Sequence, residues 1–262
     1  MASAILNIFK LQQLGFSRAV GVFLFLFFLV GNEPFAQSEN RLGYFELEQT
    51  LQTAQGDLSG TLTVPIVKGT FPVALIIAGS GPTDRNGNNA QMKNNSLQML
   101  AHELAANGIA SLRYDKRGVG KSAAAMISED QLRFDDYVND AKLWVDFLRA
   151  DSRFRGITVI GHSEGSLIGM LACEQAHAFV SLAGPGRGID VVLKEQLSEA
   201  FKGKKKLLRE ANKDIDLLKA GKTFNEVPME LFALFRPSVQ PYLISWMNYD
   251  PARSEEHTSE LQ

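Results

Sequence analysis

Gly161-His162-Ser163-Glu164-Gly165 is the stretch whose residue types and spacing could do chemistry. A serine hydroxyl is a poor nucleophile at neutral pH. It becomes reactive beside a base that a carboxylate orients, with donors aimed at the oxyanion its attack creates. Gly-x-Ser-x-Gly serves that purpose when a strand runs into it and a helix leaves it, because the sharp turn lifts the serine Oγ clear of the chain. Here the apolar run 156–160 precedes the motif, and the helix-like run 166–172 follows it. Ser163 is therefore the candidate nucleophile. The backbone N–H of Glu164, at the start of the helix where the dipole favours negative charge, is a candidate oxyanion donor. Gly161 and Gly165 are the small residues expected where the chain crosses itself.

A second oxyanion donor has to come from another loop, and the order of elements indicates which. Residues 44–49 and 57–64 alternate polar and apolar side chains around Gln55-Gly56-Asp57, which predicts a hairpin of half-buried strands. Residues 73–78 are continuously apolar, the pattern of a strand covered on both faces. That run stops at Gly79-Ser80-Gly81-Pro82, whose small residues allow backbone to approach a substrate carbonyl. An amphipathic helix over 96–107, a strand over 109–114, a helix over 134–149, the strand and helix around Ser163, and a further buried strand over 178–183 complete the rhythm. Alternating strands and helices predict an α/β fold, a doubly wound, mostly parallel sheet. After Gly188 the rhythm breaks into a long helical stretch over 190–219 and a second, aromatic-rich one over 230–246, which suits a helical lid. The basic run Lys204-Lys205-Lys206 in the first of these is read as a solvated helix face.

Composition bounds the alternatives. The chain has 262 residues, a formal charge of −2 and 45% hydrophobic residues, which suits one domain of ordinary size with a substantial core. Near-neutral charge gives no reason to expect nucleic acid as a partner. The single cysteine, Cys173, excludes an internal disulfide and a multi-cysteine metal site. There is no phosphate loop, no dinucleotide fingerprint after a strand and no metal-ligand spacing, so no cofactor or metal is expected. Lys10 and Arg18 followed by the apolar block 19–30 read as a signal peptide over 1–36, with export to a periplasm or the cell exterior. The block is shorter than the roughly 20 residues that span a bilayer, so no stable membrane anchor is expected after cleavage. An uncleaved N-terminal anchor is the alternative. Residues 253–262 resemble the in-frame translation of a common sequencing adapter, an artefactual tail, so the natural frame is expected to continue past Ala252.

Several of these motifs together resemble the α/β-hydrolases, most of all the secreted bacterial branch grouped with serine aminopeptidase-like and esterase proteins. They are Gly79-Ser80-Gly81-Pro82 with Asp84-Arg85-Asn86-Gly87-Asn88, then Asp115-Lys116-Arg117-Gly118 with Gly120 and Ser122, and the turn at Ser163. The likeness covers roughly residues 44–190. Many relatives carry a His before the first oxyanion glycine; this chain has Ala78, which leaves a backbone donor intact. The resemblance implies that Ser80 N–H is the second donor. It also implies a small-molecule acyl substrate and a Ser acyl-enzyme, with a core over 37–188 and a lid over 189–250.

The same fold places its acid and then its His after the serine, on loops following later strands. Nothing after Gly188 reads as such a strand. His102 and His177 lie in or beside structural elements, His162 is inside the motif, and His257 belongs to the tail. Asp115 and Asp140 precede the serine; Asp115 is expected to tie down its own turn, with Arg117 as a partner. The core is therefore expected to be incomplete at its C-terminus, with acid and base lost by truncation. The reading is a carboxylic ester hydrolase whose present chain turns over little or nothing. An aminopeptidase-like peptidase and a non-catalytic exported binding domain are the alternatives.

Overall fold

The structure, a computed structural model, describes residues 43–252. The expected signal peptide and tail lie outside them. Strands β1 (Tyr44–Leu51) and β2 (Leu58–Pro65) form the antiparallel hairpin, and β2 continues antiparallel onto β4 (Ala110–Tyr114). From there the sheet is parallel through β3 (Phe71–Ile77), β5 (Phe154–His162) and β6 (Ala178–Leu182), in the order β1-β2-β4-β3-β5-β6. This is the expected α/β architecture with a mostly parallel sheet. The crossovers are α1 (Ser96–Ala106), α2 (Phe134–Arg149) and α3 (Glu164–Ala172).

The two faces of the sheet differ in chemistry. One face is apolar: Leu58, Leu62, Leu75, Leu112 and Val159 pack with Phe134, Trp144 and Leu148 of α2 and Leu167 and Ile168 of α3. The opposite face carries α1, with a small cluster of Ala74, Ile76, Leu97, Ala101 and Ile160. Toward β1 that face turns polar. Arg113 of β4, 2% exposed, donates to Thr63 Oγ1 at 2.8 Å, Asn86 Oδ1 at 2.9 Å and Glu46 Oε1 at 2.8 Å. Arg85 does the same one step along, reaching Thr61, Ser59, Glu48 and Asp115. The expectation of half-buried strands is thus corrected for β2, which is buried along nearly its whole length. Its threonine face is covered by two guanidinium groups, each hydrogen-bonded through all three of its nitrogens and each paired with a carboxylate, which offsets the cost of burying charge.

Two further expectations change. The stretch 190–219 is not one helix: α4 (Ile189–Ala200) and α5 (Lys205–Lys219) are separated by a turn in which Gly203 takes φ 87°, a conformation that ends a helix. Lys204 and Lys205 are exposed where α5 starts, consistent with a solvated face. Strand β6, expected to be buried, has no fully buried residue, and Val180 is 40% exposed. Among the described residues β6 is a sheet edge, paired only with β5, so its apolar side chains lack the cover that their sequence anticipates.

Helices α6 (Met229–Phe235) and α7 (Gln240–Met247) flank a single turn at Pro237–Val239. With α4 and α5 they pack into the same apolar cluster as α2. The docking is specific. Ser245 Oγ accepts the Phe134 N–H at 2.8 Å, an N-terminal group of α2 with no partner inside its own helix, and Trp246 stacks on the Phe134 ring at 5.5 Å.

Candidate active site

Ser163 sits between β5 and α3 with φ 54° and ψ −118°, a conformation that costs an L-residue energy and persists only where its surroundings impose it. They do. Ser163 N–H donates to Leu182 O of β6 at 3.0 Å. A Cβ on Gly161 would lie 2.1 Å from Gly165 O, and one on Gly165 would lie 2.5 Å from Ile77 O, so the turn closes only with glycine at both positions. Gly79 lies against the other side, where an added Cβ would come 3.3 Å from Ser163 Cβ and 3.0 Å from His162 Nδ1.

The structure buries the three expected site residues: Glu164 follows Ser163 in the turn, and Ser80 follows Gly79, which lies against Ser163. Ser163, Glu164 and Ser80 are 7%, 3% and 6% exposed. Among the described residues, neither the Ser80 N–H nor the Glu164 N–H donates a hydrogen bond, and none reaches Ser163 Oγ. Two unpaired backbone donors beside a strained serine can receive an oxygen that carries negative charge. The Ser80 carbonyl accepts from Thr83 Oγ1 at 3.0 Å, which fixes the loop on its far side.

The loop 83–88 is held as a rigid strut. Asp84 Oδ1 accepts the N–H groups of Asn86 and Asn88 at 2.8 Å each. Asp115 receives the Arg85 N–H at 2.8 Å, the Arg85 guanidinium, and the Lys121 N–H at 2.9 Å. So Asp115 does tie down its own turn, but its cation is Arg85. Arg117 instead pairs with Asp140 of α2, Nη2 to Oδ1 at 2.6 Å.

The histidines occupy structural positions. His102 on α1 hydrogen-bonds Glu46 at 2.9 Å and stacks on Tyr44, and His177 Nδ1 accepts the Ile157 N–H at 3.1 Å. His162 keeps an exposed edge, and partial burial lowers its pKa, which favours a neutral ring. His257 lies outside the described residues.

Three residues of the site were not anticipated in these roles. The Glu164 side chain is buried and accepts Lys116 Nζ at 2.6 Å on one carboxylate oxygen and the Tyr242 hydroxyl of α7 on the other. Lys116 Nζ also donates to Gly79 O at 2.8 Å and lies 4.9 Å from the centre of the Tyr137 ring. The signal available in the sequence was a carboxylate at the buried start of an otherwise apolar helix, which requires a cation from elsewhere. No group of His, Cys, Asp and Glu among the described residues could hold a metal, and no described helix is long and apolar enough to cross a membrane.

Comparison with known proteins bears on this geometry. A family model described as serine aminopeptidase, S33, matches residues 91–222. Esterase EstD of Thermotoga maritima is 27% identical over 198 residues, which covers 74% of this chain and 45% of that protein. The chain thus spans less than half the length of that curated relative. Among solved structures, hypothetical protein PA2218 from Pseudomonas aeruginosa aligns with a TM-score of 0.52 at 14% identity, covering 84% of this chain and 76% of that one. XC6422 from Xanthomonas campestris, described as an α/β serine hydrolase without lid, aligns at 24% identity with a TM-score of 0.43, over 54% of this chain and 62% of that one.

Proposed function

Because the chain belongs to the serine aminopeptidase S33 family of esterase-like α/β-hydrolases, we propose that it is built to hydrolyse carboxylic esters through an acyl-enzyme on Ser163. The observation that carries the reading is the positive φ of Ser163 in a turn packed against Gly79, where the N–H groups of Ser80 and Glu164 have no partner among the described residues. In this reaction Ser163 Oγ bonds to the ester carbonyl carbon as its proton passes to a base. The carbonyl oxygen takes up the negative charge against Ser80 N–H and Glu164 N–H. The tetrahedral adduct then expels the alcohol oxygen, which takes the proton back, and water repeats the sequence on the acyl-serine.

The acid and the base of this reading lie in chain beyond residue 252. Two observations support that placement. None of the described histidines bonds Ser163, and β6 presents an open edge on which further strands could build. The helices of 189–250 act as the lid, and the N-terminal segment exports the protein to a periplasm or the cell exterior; fractionation of expressing cells tests the export. A peptidase activity on the same acyl-enzyme is the second reading, favoured by the family description.

The test is p-nitrophenyl acetate hydrolysis by residues 37–252, with sequencing of the genomic DNA past the codon for Ala252. Turnover close to the buffer rate is expected, with an open frame that encodes a late Asp or Glu and a His. Rapid turnover dependent on Ser163 would reveal a base within 37–252. A stop codon directly after Ala252 would defeat the placement of acid and base.

A further inference from the structure

We propose that Lys116, held by Glu164 and Tyr242, is the positioning residue that aims the Ser80 N–H into the oxyanion site. The inference rests on the reading of Ser163 as nucleophile. Its basis is the geometry of one peptide group. In a planar trans peptide the C=O and the N–H point in opposite directions, so fixing one fixes the other. The peptide between Gly79 and Ser80 has its carbonyl held by Lys116 Nζ at 2.8 Å, which turns the Ser80 N–H away from the lysine. Gly79 itself lies against Ser163, where an added Cβ would come 3.3 Å from Ser163 Cβ.

The lysine is itself fixed. Its side chain is 1% exposed, its partner carboxylate on Glu164 is 2% exposed, and the two meet at 2.6 Å. Glu164 is also the residue whose backbone supplies the other unpaired N–H. One ammonium therefore bridges the Gly79–Ser80 peptide, through the Gly79 carbonyl, and the side chain of Glu164. The remaining Glu164 oxygen is closed by the Tyr242 hydroxyl. Burial and the neighbouring carboxylate push that phenol well above its ordinary pKa, so it remains a donor. Tyr242 belongs to α7, so the network ends in the helical segment over 189–250 and ties its seating to the shape of the oxyanion site. An apolar residue at 116 would leave the Gly79 carbonyl buried without a donor, and a peptide flip would then exchange its C=O for the N–H that the site needs.

The test compares two ligands on the full chain: phenylboronic acid and benzamide. The boronic acid forms a B–O bond with a lone pair of Ser163 Oγ, releases the hydroxyl proton to solvent, and becomes a tetrahedral anion with an oxygen in the oxyanion site. Benzamide stays trigonal and neutral. Loss of one oxyanion donor costs about a hundred- to a thousandfold. Misaiming one should therefore weaken phenylboronic acid roughly ten- to a hundredfold in Lys116→Met, with benzamide affinity unchanged. Glu164→Gln should lie close to Lys116→Met. Tyr242→Phe keeps the packed ring, serves if Lys116→Met does not fold, and should show a smaller loss in the same direction. Boronate affinity within twofold of the parent in both Glu164→Gln and Tyr242→Phe overturns the proposal, as does an equal loss for both ligands. Failure of the underlying reading looks different: the parent chain then does not bind phenylboronic acid, or Ser163→Ala binds it equally well.

Discussion

A Cβ on Gly161 would sit 2.1 Å from Gly165 O, closer than any rearrangement within the turn can relieve. Gly161→Ala is therefore expected to cost about 3 kcal/mol or more, the upper range for single substitutions. Urea denaturation checks this; a variant as stable as the parent would show that the turn is not sterically closed. What could be read from sequence at this scale was the part carried by backbone. Ser163 and the Glu164 N–H follow from local spacing, and Ser80 from a motif within one loop. The Glu164 side-chain network was not legible, because its partners lie 48 and 78 residues away and meet it only in the folded chain. Asp115 shows the same limit in smaller form: its role in the turn was evident, but its cation lay in another loop rather than two residues along.

Helices are legible in the sequence by their period and caps. Helix α2 begins where Asp136 accepts the Arg133 N–H at 2.7 Å, and its apolar face matches the spacing of Val138, Ala141, Val145 and Leu148. The break between α4 and α5 is not legible in the sequence, because apolar spacing continues across it and a lone glycine does not by itself show that it will take positive φ. The helical segment over 189–250 is tied to the core by a second clamp, in which Arg236 Nε meets Glu129 Oε2 at 2.9 Å and Ser238 adds a hydroxyl. Burial pushes the Glu129 carboxyl up, but the bonds from Arg236 and Ser238 and the charge of Arg236 outweigh it, and the net pKa falls below the ordinary 4.5. A carboxylate with a lowered folded pKa contributes stability that is present above its unfolded value and lost as pH falls through the folded one. Melting temperature should therefore drop as pH is lowered below about 4.5, and Glu129→Gln should lack that part of the drop. Parallel acid profiles for the two proteins would show that the clamp carries no linked stability.

At the scale of the whole molecule, the sheet is asymmetric in cover. Its apolar face is closed by α2, α3 and the later helices, and Trp144 lies at 0% exposure against Tyr114. Trp144→Ala should cost roughly 3–5 kcal/mol by removing a large ring from a packed site, read as a lower urea midpoint. Strand β6 is the contrasting region: its sequence is apolar enough for a buried strand, yet among the described residues its outer edge is unpaired. In the proposed enzyme, Ser163 carries the acyl group. The measurement that tests this most directly is fluorophosphonate labelling with peptide mapping and p-nitrophenyl acetate kinetics, on the protein expressed from its genomic reading frame. A single stoichiometric adduct on Ser163 is predicted, with turnover that disappears in Ser163→Ala. An adduct on another residue, or full turnover in Ser163→Ala, would contradict it.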